Sequence, residues 1–484
     1  MKKTIAVCAV LGIALPALTG MLLLPKDYDI PTMLRSAPIG TGYAAKMLCS
    51  AVFVSGRNPA SVWREELELM HRNWIRGRID YDRKSVDAYA LGFLFKRTAV
   101  YRGDCGCTLD LGSPADDSGK NRDKALPVPP AGMETEPWPL GDMPTEDPPP
   151  SGIDRGLLER TLDWAFSESH PEHPVRTRAV MVLYDGRIVA ERYADGYSKD
   201  SRLLGWSMTK SVTSALIGLL VRDGLLDIRK PAGFPEWSGP GDPRSAITID
   251  QLLRMSSGLS FQEDYEEQPD SDAGFMYFTV PDMAAFAARK PPEARPDEEF
   301  HYSSGTTMLL SRIIRETLEK SDRDHRAFPR RELFHRLGMR SAVVEHDPSG
   351  TMVGAGFMYA TLRDWARFGL LFYDDGFFCG ERILPEGWVR YCRTPTPTFS
   401  GYGAQFWLNG GGRDRWLPDC PEDLYSARGH EGQYVTIVPS RKTVIVRLGH
   451  TVDEEIHWNH NYFVSNILEA MPDETKPDET ITGN

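Results

Sequence analysis

From Val212 onward the apolar residues Ala215, Leu216, Leu219 and Leu220 recur at helical spacing, and Gly224 is placed to stop the run. Residues 155–167 (RGLLERTLDWAFS) carry the same periodicity. Two runs of another kind, AVMVLYD (179–185) and RIVAERYA (187–194), flank Gly186 and predict a hairpin. Near the end, YVTIVPS (434–440) and TVIVRLG (443–449) predict a second hairpin, followed by a helix around Trp458–Ala470. Helical runs fill the stretch between. Strands at both ends with helices between them predict an antiparallel sheet completed by distant chain segments. Helices would flank that sheet, beside a mainly helical subdomain, which is an α/β (α+β) architecture.

Upstream the patterning is mixed. Residues 42–57 (GYAAKMLCSAVFVSGR) lead into two stretches read as helical, around Ser61–Ile75 and near Ser85–Leu94. Residues 113–152 are rich in Pro, Asp and Gly with few periodic apolar positions, and read as a linker or a surface wrap. The chain therefore divides into residues 1–25, an N-terminal extension (26–112), the linker (113–152), one α/β unit (153–472) and a polar tail (473–484) expected to be disordered. In the first segment Lys2 and Lys3 precede an uncharged run from Thr4 to Pro25, closed by Lys26 and Asp27. This pattern fits a signal peptide or an uncleaved signal-anchor. Either exports the remainder to the periplasm or cell envelope, and the anchor would tether it to the inner membrane through residues 4–25.

Charge narrows the partners. The 484 residues contain 56 Lys and Arg against 68 Asp and Glu, a net −12, and the pI is near 5.5. Nucleic acid, whose phosphates call for Lys and Arg, is not an expected partner. Cys8 lies in the apolar run, and the other six cysteines suit disulfides in an oxidising compartment. Cys49 is expected to pair with Cys105 or Cys107, with a second bond among Cys379, Cys392 and Cys420; buried free thiols are the alternative. Cys105-Gly-Cys107 has no second close pair to complete a zinc site. His457 and His460 have helical ligand spacing without further ligands, so no metal or other cofactor is expected.

Candidate chemistry begins at Ser207, which opens the Val212 helix with Lys210 three residues on and on the same face. A serine hydroxyl is a weak nucleophile that needs a base within hydrogen-bond reach. A lysine one turn away can serve if burial brings its pKa from about 10.4 toward neutrality. The alternative is an N-capping serine beside a solvated lysine. Tyr302-Ser303-Ser304 precedes another helical run. A tyrosine beside a lysine cation would ionise more readily and relay the serine's proton to a leaving group. His430-Glu431-Gly432 opens a terminal strand, where glycine admits a substrate to the strand edge. The N–H of Gln433 could then join that of Ser207 as an oxyanion hole. Taken singly, Tyr302 could equally be a packed aromatic and His430 an ordinary turn residue.

Together and in this order the three motifs resemble those of the serine β-lactamase and penicillin-binding-protein superfamily: S-x-x-K, Y-x-N/S and a K-T-G-like triplet. His430 in place of the lysine is similar to the class C-related branch of esterases, aminopeptidases and amidases, and most of all to hydrolases of the 6-aminohexanoate-dimer type. The likeness covers roughly residues 175–470, including QLLRMSSGLSFQEDY (251–265), ATLRDWARFG (360–369) and HEGQ (430–433). It implies a β-lactamase/transpeptidase-like fold and a serine hydrolase acting on a small-molecule or peptide-like ester or amide. Ser207, Lys210 and Tyr302 would be catalytic, with Tyr265, His430 and Gly432 at the substrate; a packed loop aromatic is the other reading of Tyr265. An acid orienting a substrate amine is also implied, with Asp264, Asp270 and Asp272 as candidates. The rival functions are a D,D-peptidase or β-lactamase, a non-catalytic envelope binding protein, and a membrane-tethered scaffold working through residues 31–111. A neutral His430 attracts a substrate carboxylate less than lysine would, which weighs against the first.

Overall fold

The computed structural model describes residues 30–67, 74–90, 94–112, 125–145, 150–168, 173–264, 270–411 and 415–472. Residues 1–29 and Tyr265 thus lie outside the described residues, as does the tail beyond 472. Among the described residues no helix is long and apolar enough to cross a membrane.

The N-terminal extension consists of α1 (Ile30–Phe53), α2 (Pro59–Glu65) and four strands: β1 (Ile75–Asp80), β2 (Ser85–Ala90), β3 (Leu94–Tyr101) and β4 (Cys107–Leu109). The strands form an antiparallel meander in the order β1-β2-β3-β4. This corrects the helix expected near Ser85–Leu94. Val86, Ala88 and Ala90 are buried while Ser85, Asp87 and Tyr89 are partly exposed, so the operative period is two, that of a strand with one covered face. The helix expected over Ser61–Ile75 is also shorter, ending at Glu65, and Ile75 already begins β1.

Following the linker come α3 (Arg155–Ala165), β5 (Ala179–Tyr184), β6 (Arg187–Tyr193), α4 (Met208–Arg222), α5 (Asp272–Thr279), α6 (Ser304–Lys320) and α7 (Leu362–Tyr373). Then follow β7 (Trp407–Leu408), β8 (Tyr425–Gly429), β9 (Gln433–Val438), β10 (Thr443–Leu448) and α8 (His460–Ala470). Both expected hairpins are present, and β10 pairs with β5 to give a six-stranded antiparallel sheet, β7-β8-β9-β10-β5-β6. The central strands are apolar throughout because both faces are covered. Met181, Leu183, Val435 and Val446 face the core containing α4, α6 and α7, whereas Val180, Val182, Tyr434 and Ile445 face α3 and α8. The fold is thus the antiparallel sheet flanked by helices that the hydrophobic pattern predicts.

The extension shares its core with the hydrolase unit. Ala45, Leu48, Val86 and Ala99 pack with Met276, Phe278, Met308 and Phe357 in one buried cluster. Gly42 of α1 approaches α5 so closely that a Cβ would lie 2.5 Å from the Phe278 carbonyl oxygen. Glu345, fully buried, takes the Cys107 N–H at 2.7 Å, the Ser50 hydroxyl at 2.8 Å and the ammonium of Lys46. Breaking one side of such a set leaves a buried charge without its counterpart, so the two parts are energetically coupled. In the Pro-rich stretch, residues 125–145 form a strap on the surface of the unit. Trp138 is buried and donates from Nε1 to the Gly186 carbonyl at 2.8 Å, and Asp142 pairs with Arg340, Arg363 and Arg367.

Cys49 of α1 is bonded to Cys107 of β4. The second disulfide is not formed: Cys379 is exposed while Cys392 and Cys420 are buried as separate free thiols, and Cys105 is also free. Thiol titration of the denatured, unreduced chain is therefore expected to find two fewer thiols than the seven of the reduced chain. Seven in both states would show that the bond does not form. Reduction should lower stability by about 2–4 kcal/mol, readable as a shift in the denaturation midpoint.

Candidate active site

The nucleophile candidate is held by close backbone approach. Gly205 packs so tightly on Trp365 that a Cβ would fall 2.2 Å from the indole ring. Trp206 follows in the left-handed region at φ 47°, and the chain then turns into α4. Ser207 occupies the N-cap position of α4 but makes no side-chain capping bond. This removes the capping reading, and the solvated lysine fails with it, because Lys210 is 1% exposed. Lys210 Nζ lies 2.9 Å from Ser207 Oγ, 3.0 Å from Ser304 Oγ and 2.8 Å from the Ala355 carbonyl oxygen. Burial pulls its pKa from 10.5 down to about 8, against a smaller upward pull from the Glu263 carboxylate. The i, i+3 spacing on one helix face thus delivers the amine to the hydroxyl.

Tyr302 completes the local trio. Its ring centroid is 4.8 Å from Lys210 Nζ, and its phenol shares a hydrogen bond with Ser207. The expectation that the lysine would favour phenolate is corrected. Burial first, and then the charge of Glu263, push the Tyr302 pKa well above its ordinary value, so the phenol keeps its proton. The lysine does not counter this, since with a pKa near 8 it has given up its charge before the phenol would titrate.

Two further groups were not singled out by sequence reasoning. Ser304, the third member of the Tyr302-Ser303-Ser304 triplet and the first residue of α6, accepts from Lys210 and donates to Glu263. Glu263 also takes the Ser304 N–H at 2.7 Å, and burial raises its pKa against the opposing charge of Lys210. The triplet itself was the available signal for Ser304. Glu263 lies two residues before Tyr265 in a stretch already matched to the family. The Ala355 carbonyl reaches Lys210 because its neighbour is Gly354, where a Cβ would sit 2.3 Å from Thr213 Oγ1 of α4. Asp272 of the amine-orienting candidates is engaged with Lys290, and Asp270 with Arg35 of α1.

His430, Glu431 and Gly432 form the turn between β8 and β9. The His430 ring meets Trp206 edge to face at 5.4 Å, which brings this turn beside the nucleophile's backbone. Gly432 is required as glycine: φ is 79°, and a Cβ would lie 2.2 Å from Arg447 Nη1, which donates to the Gly432 carbonyl at 2.7 Å. Gln433 pairs with Gly429 at the end of the hairpin. Its side chain pins the turn, donating to the Gly449 carbonyl at 2.8 Å and accepting from the Gly449 N–H at 3.0 Å. No group of three or more candidate metal ligands occurs among the described residues.

A serine hydroxyl bonded to a buried amine of lowered pKa, on a sheet-and-helix scaffold of this topology, defines a β-lactamase-like serine hydrolase. The family model for Beta-lactamase matches residues 163–463, well over half of the chain, and the chain belongs to that family. Among curated relatives, the 6-aminohexanoate-dimer hydrolase of Paenarthrobacter ureafaciens is 26% identical over 300 residues, covering 58% of this chain and 75% of that protein. A solved structure from Bacillus anthracis, described as a candidate 6-aminohexanoate-dimer hydrolase, superposes with a TM-score of 0.52 at 23% identity. It covers 65% of this chain and 83% of its own. A family VIII carboxylesterase gives 0.50 at 15% identity, covering 66% and 98%. At these identities the two structures speak for the fold alone.

Proposed function

We propose that the chain is an exported hydrolase that cleaves a carboxylic ester or amide through an acyl-enzyme on Ser207. The observation that carries this reading is the buried Lys210 amine on the Ser207 hydroxyl. At pH 7 a pKa near 8 leaves roughly a tenth of the amine neutral, against about one part in 3,000 for an ordinary lysine. Neutral Lys210 takes the Ser207 proton as Oγ attacks the carbonyl carbon. The N–H of Ser207 and a backbone N–H of the 430–433 turn, with Gln433 as the candidate, steady the oxyanion. Tyr302 gives its proton to the leaving group and recovers one from the Lys210 ammonium; water then attacks the acyl carbon, and Ser207 Oγ leaves with a proton from that water. His430 and Gly432 border the substrate, and Tyr265 is proposed to contact it. No cofactor is called upon.

Export is supported by the basic start and uncharged run of residues 1–25 and by a disulfide that suits an oxidising compartment. A purely binding or scaffolding role gives no reason to hold an amine in a buried site against its pKa. The test is to treat the full-length chain with a fluorophosphonate and map the adduct by peptide mass. A single adduct on Ser207 is the expected result. A folded chain that takes no label, or takes it elsewhere, overturns the reading.

A further inference from the structure

Two non-glycine residues with left-handed backbones flank the site: Trp206 directly before Ser207, and Glu431 at φ 65° in the turn between β8 and β9. They are bonded to each other, Trp206 Nε1 donating to Glu431 Oε2 at 3.0 Å. The same carboxylate oxygen lies 2.8 Å from His450 Nδ1. The other ring nitrogen of His450 lies 2.7 Å from the carbonyl oxygen of Glu65, the last residue of α2. Trp206, Glu431 and His450 are all buried. The two ring nitrogens of His450 thus lie against the Glu431 carboxylate on one side and the end of α2 on the other. Burial works to raise the Glu431 pKa, but the charges of His450 and His430 and the bonds from His450 and Trp206 hold it below the carboxylate range.

A turn residue at positive φ is ordinarily glycine or asparagine, and a glutamate there carries backbone strain that the turn alone does not call for. Its side chain spans from the turn to the indole next to the nucleophile, and so joins the two backbone segments that flank the reacting centre. We propose that Glu431 is a positioning residue. Its carboxylate, aligned by His450 against α2, sets Trp206, and through it Ser207, at a fixed distance from the 430–433 turn. The inference rests on the Ser207 acyl-enzyme reading. It also gives the N-terminal extension, which precedes the segment matched by the family model, a part in the reaction: α2 supplies the far anchor of the brace.

The test uses the full-length chain with p-nitrophenyl butyrate and a fluorophosphonate as probes, and Glu431→Gly, Glu431→Gln and Trp206→Phe as variants. Glu431→Gly relaxes the backbone and removes the brace. It should still unfold cooperatively, with Tm lowered because Trp206 Nε1 and His450 lose their buried partner, while kcat and the maximal rate of phosphonylation of the folded protein fall by about tenfold to a hundredfold and KM stays within about threefold. Glu431→Gln retains an acceptor for Trp206 and should fall between. Trp206→Phe combined with Glu431→Gly should be no worse than the poorer single variant, since both break one link. A Glu431→Gly variant with wild-type kcat, a loss confined to KM, or additive effects in the double variant would overturn the proposal and leave the Ser207 reading standing. A wild-type chain inert to both probes would remove the two together.

Discussion

Replacing Lys210 by methionine is expected to lower kcat/KM for p-nitrophenyl butyrate by at least about a thousandfold and to abolish its dependence on pH near 8. The amine is the only base bonded to Ser207 Oγ among the described residues, so nothing else is placed to take the proton as the carbonyl is attacked. Its pKa of about 8 then predicts the wild-type profile: kcat/KM climbs with pH until the amine is neutral and is flat above that. The same shift has a stability consequence whose sign follows from proton counting. Between pH 8 and 10.5 the unfolded chain binds the Lys210 proton and the folded chain does not, so stability rises with pH across that window. Below pH 8 the buried ammonium costs about 3 kcal/mol, which methionine does not carry. Unfolding curves of the two proteins at pH 7 and pH 10.5 should therefore diverge by about that amount, in favour of wild type at the higher pH. A variant that keeps the wild-type pH profile would identify another base.

How much of this was legible in the sequence follows the range of the interactions. Ser207 and Lys210 are one helical turn apart, and local periodicity sufficed to put them on one face. The sheet was legible too, because four apolar runs with β-branched residues bracket the chain. Glu263 and the Ala355 carbonyl join the same amine from 53 and 145 residues away, which no local pattern encodes. The mistaken helix near Ser85–Leu94 has a simple cause. Its buried side are Val86, Ala88 and Ala90, and alanines carry little strand preference, so the alternation was faint until the covering α1 is known. The free Cys392 and Cys420 are likewise a matter of tertiary placement. Each is a buried free thiol, and count alone could not reveal that. The reversed shift of Tyr302 belongs with these, because it depends on burial first and then on Glu263.

Tyr302→Phe carries the other large expected effect, and it separates two roles that the motif leaves merged. A phenol that keeps its proton and touches Ser207 is suited to hand a proton onward to the departing group, not to act as the first base. An amine leaving from an amide cannot depart without that proton, whereas p-nitrophenolate departs readily as the anion. Loss of the hydroxyl should therefore cost p-nitrophenyl butyrate about tenfold or less and the corresponding p-nitroanilide at least about a thousandfold. The quantity to measure is the ratio of the two kcat/KM values in wild type and variant at a pH well above 8, where Lys210 is neutral in both. A ratio that moves toward the ester by about a hundredfold assigns the proton transfer to Tyr302. Equal losses on both substrates would instead make the phenol part of the Ser207 and Lys210 hydrogen-bonded group that forms the nucleophile. In that case leaving-group protonation would have to pass through Lys210 itself, whose Nζ is bonded to both Ser207 and Ser304 and so stands on either side of the serine oxygen's path.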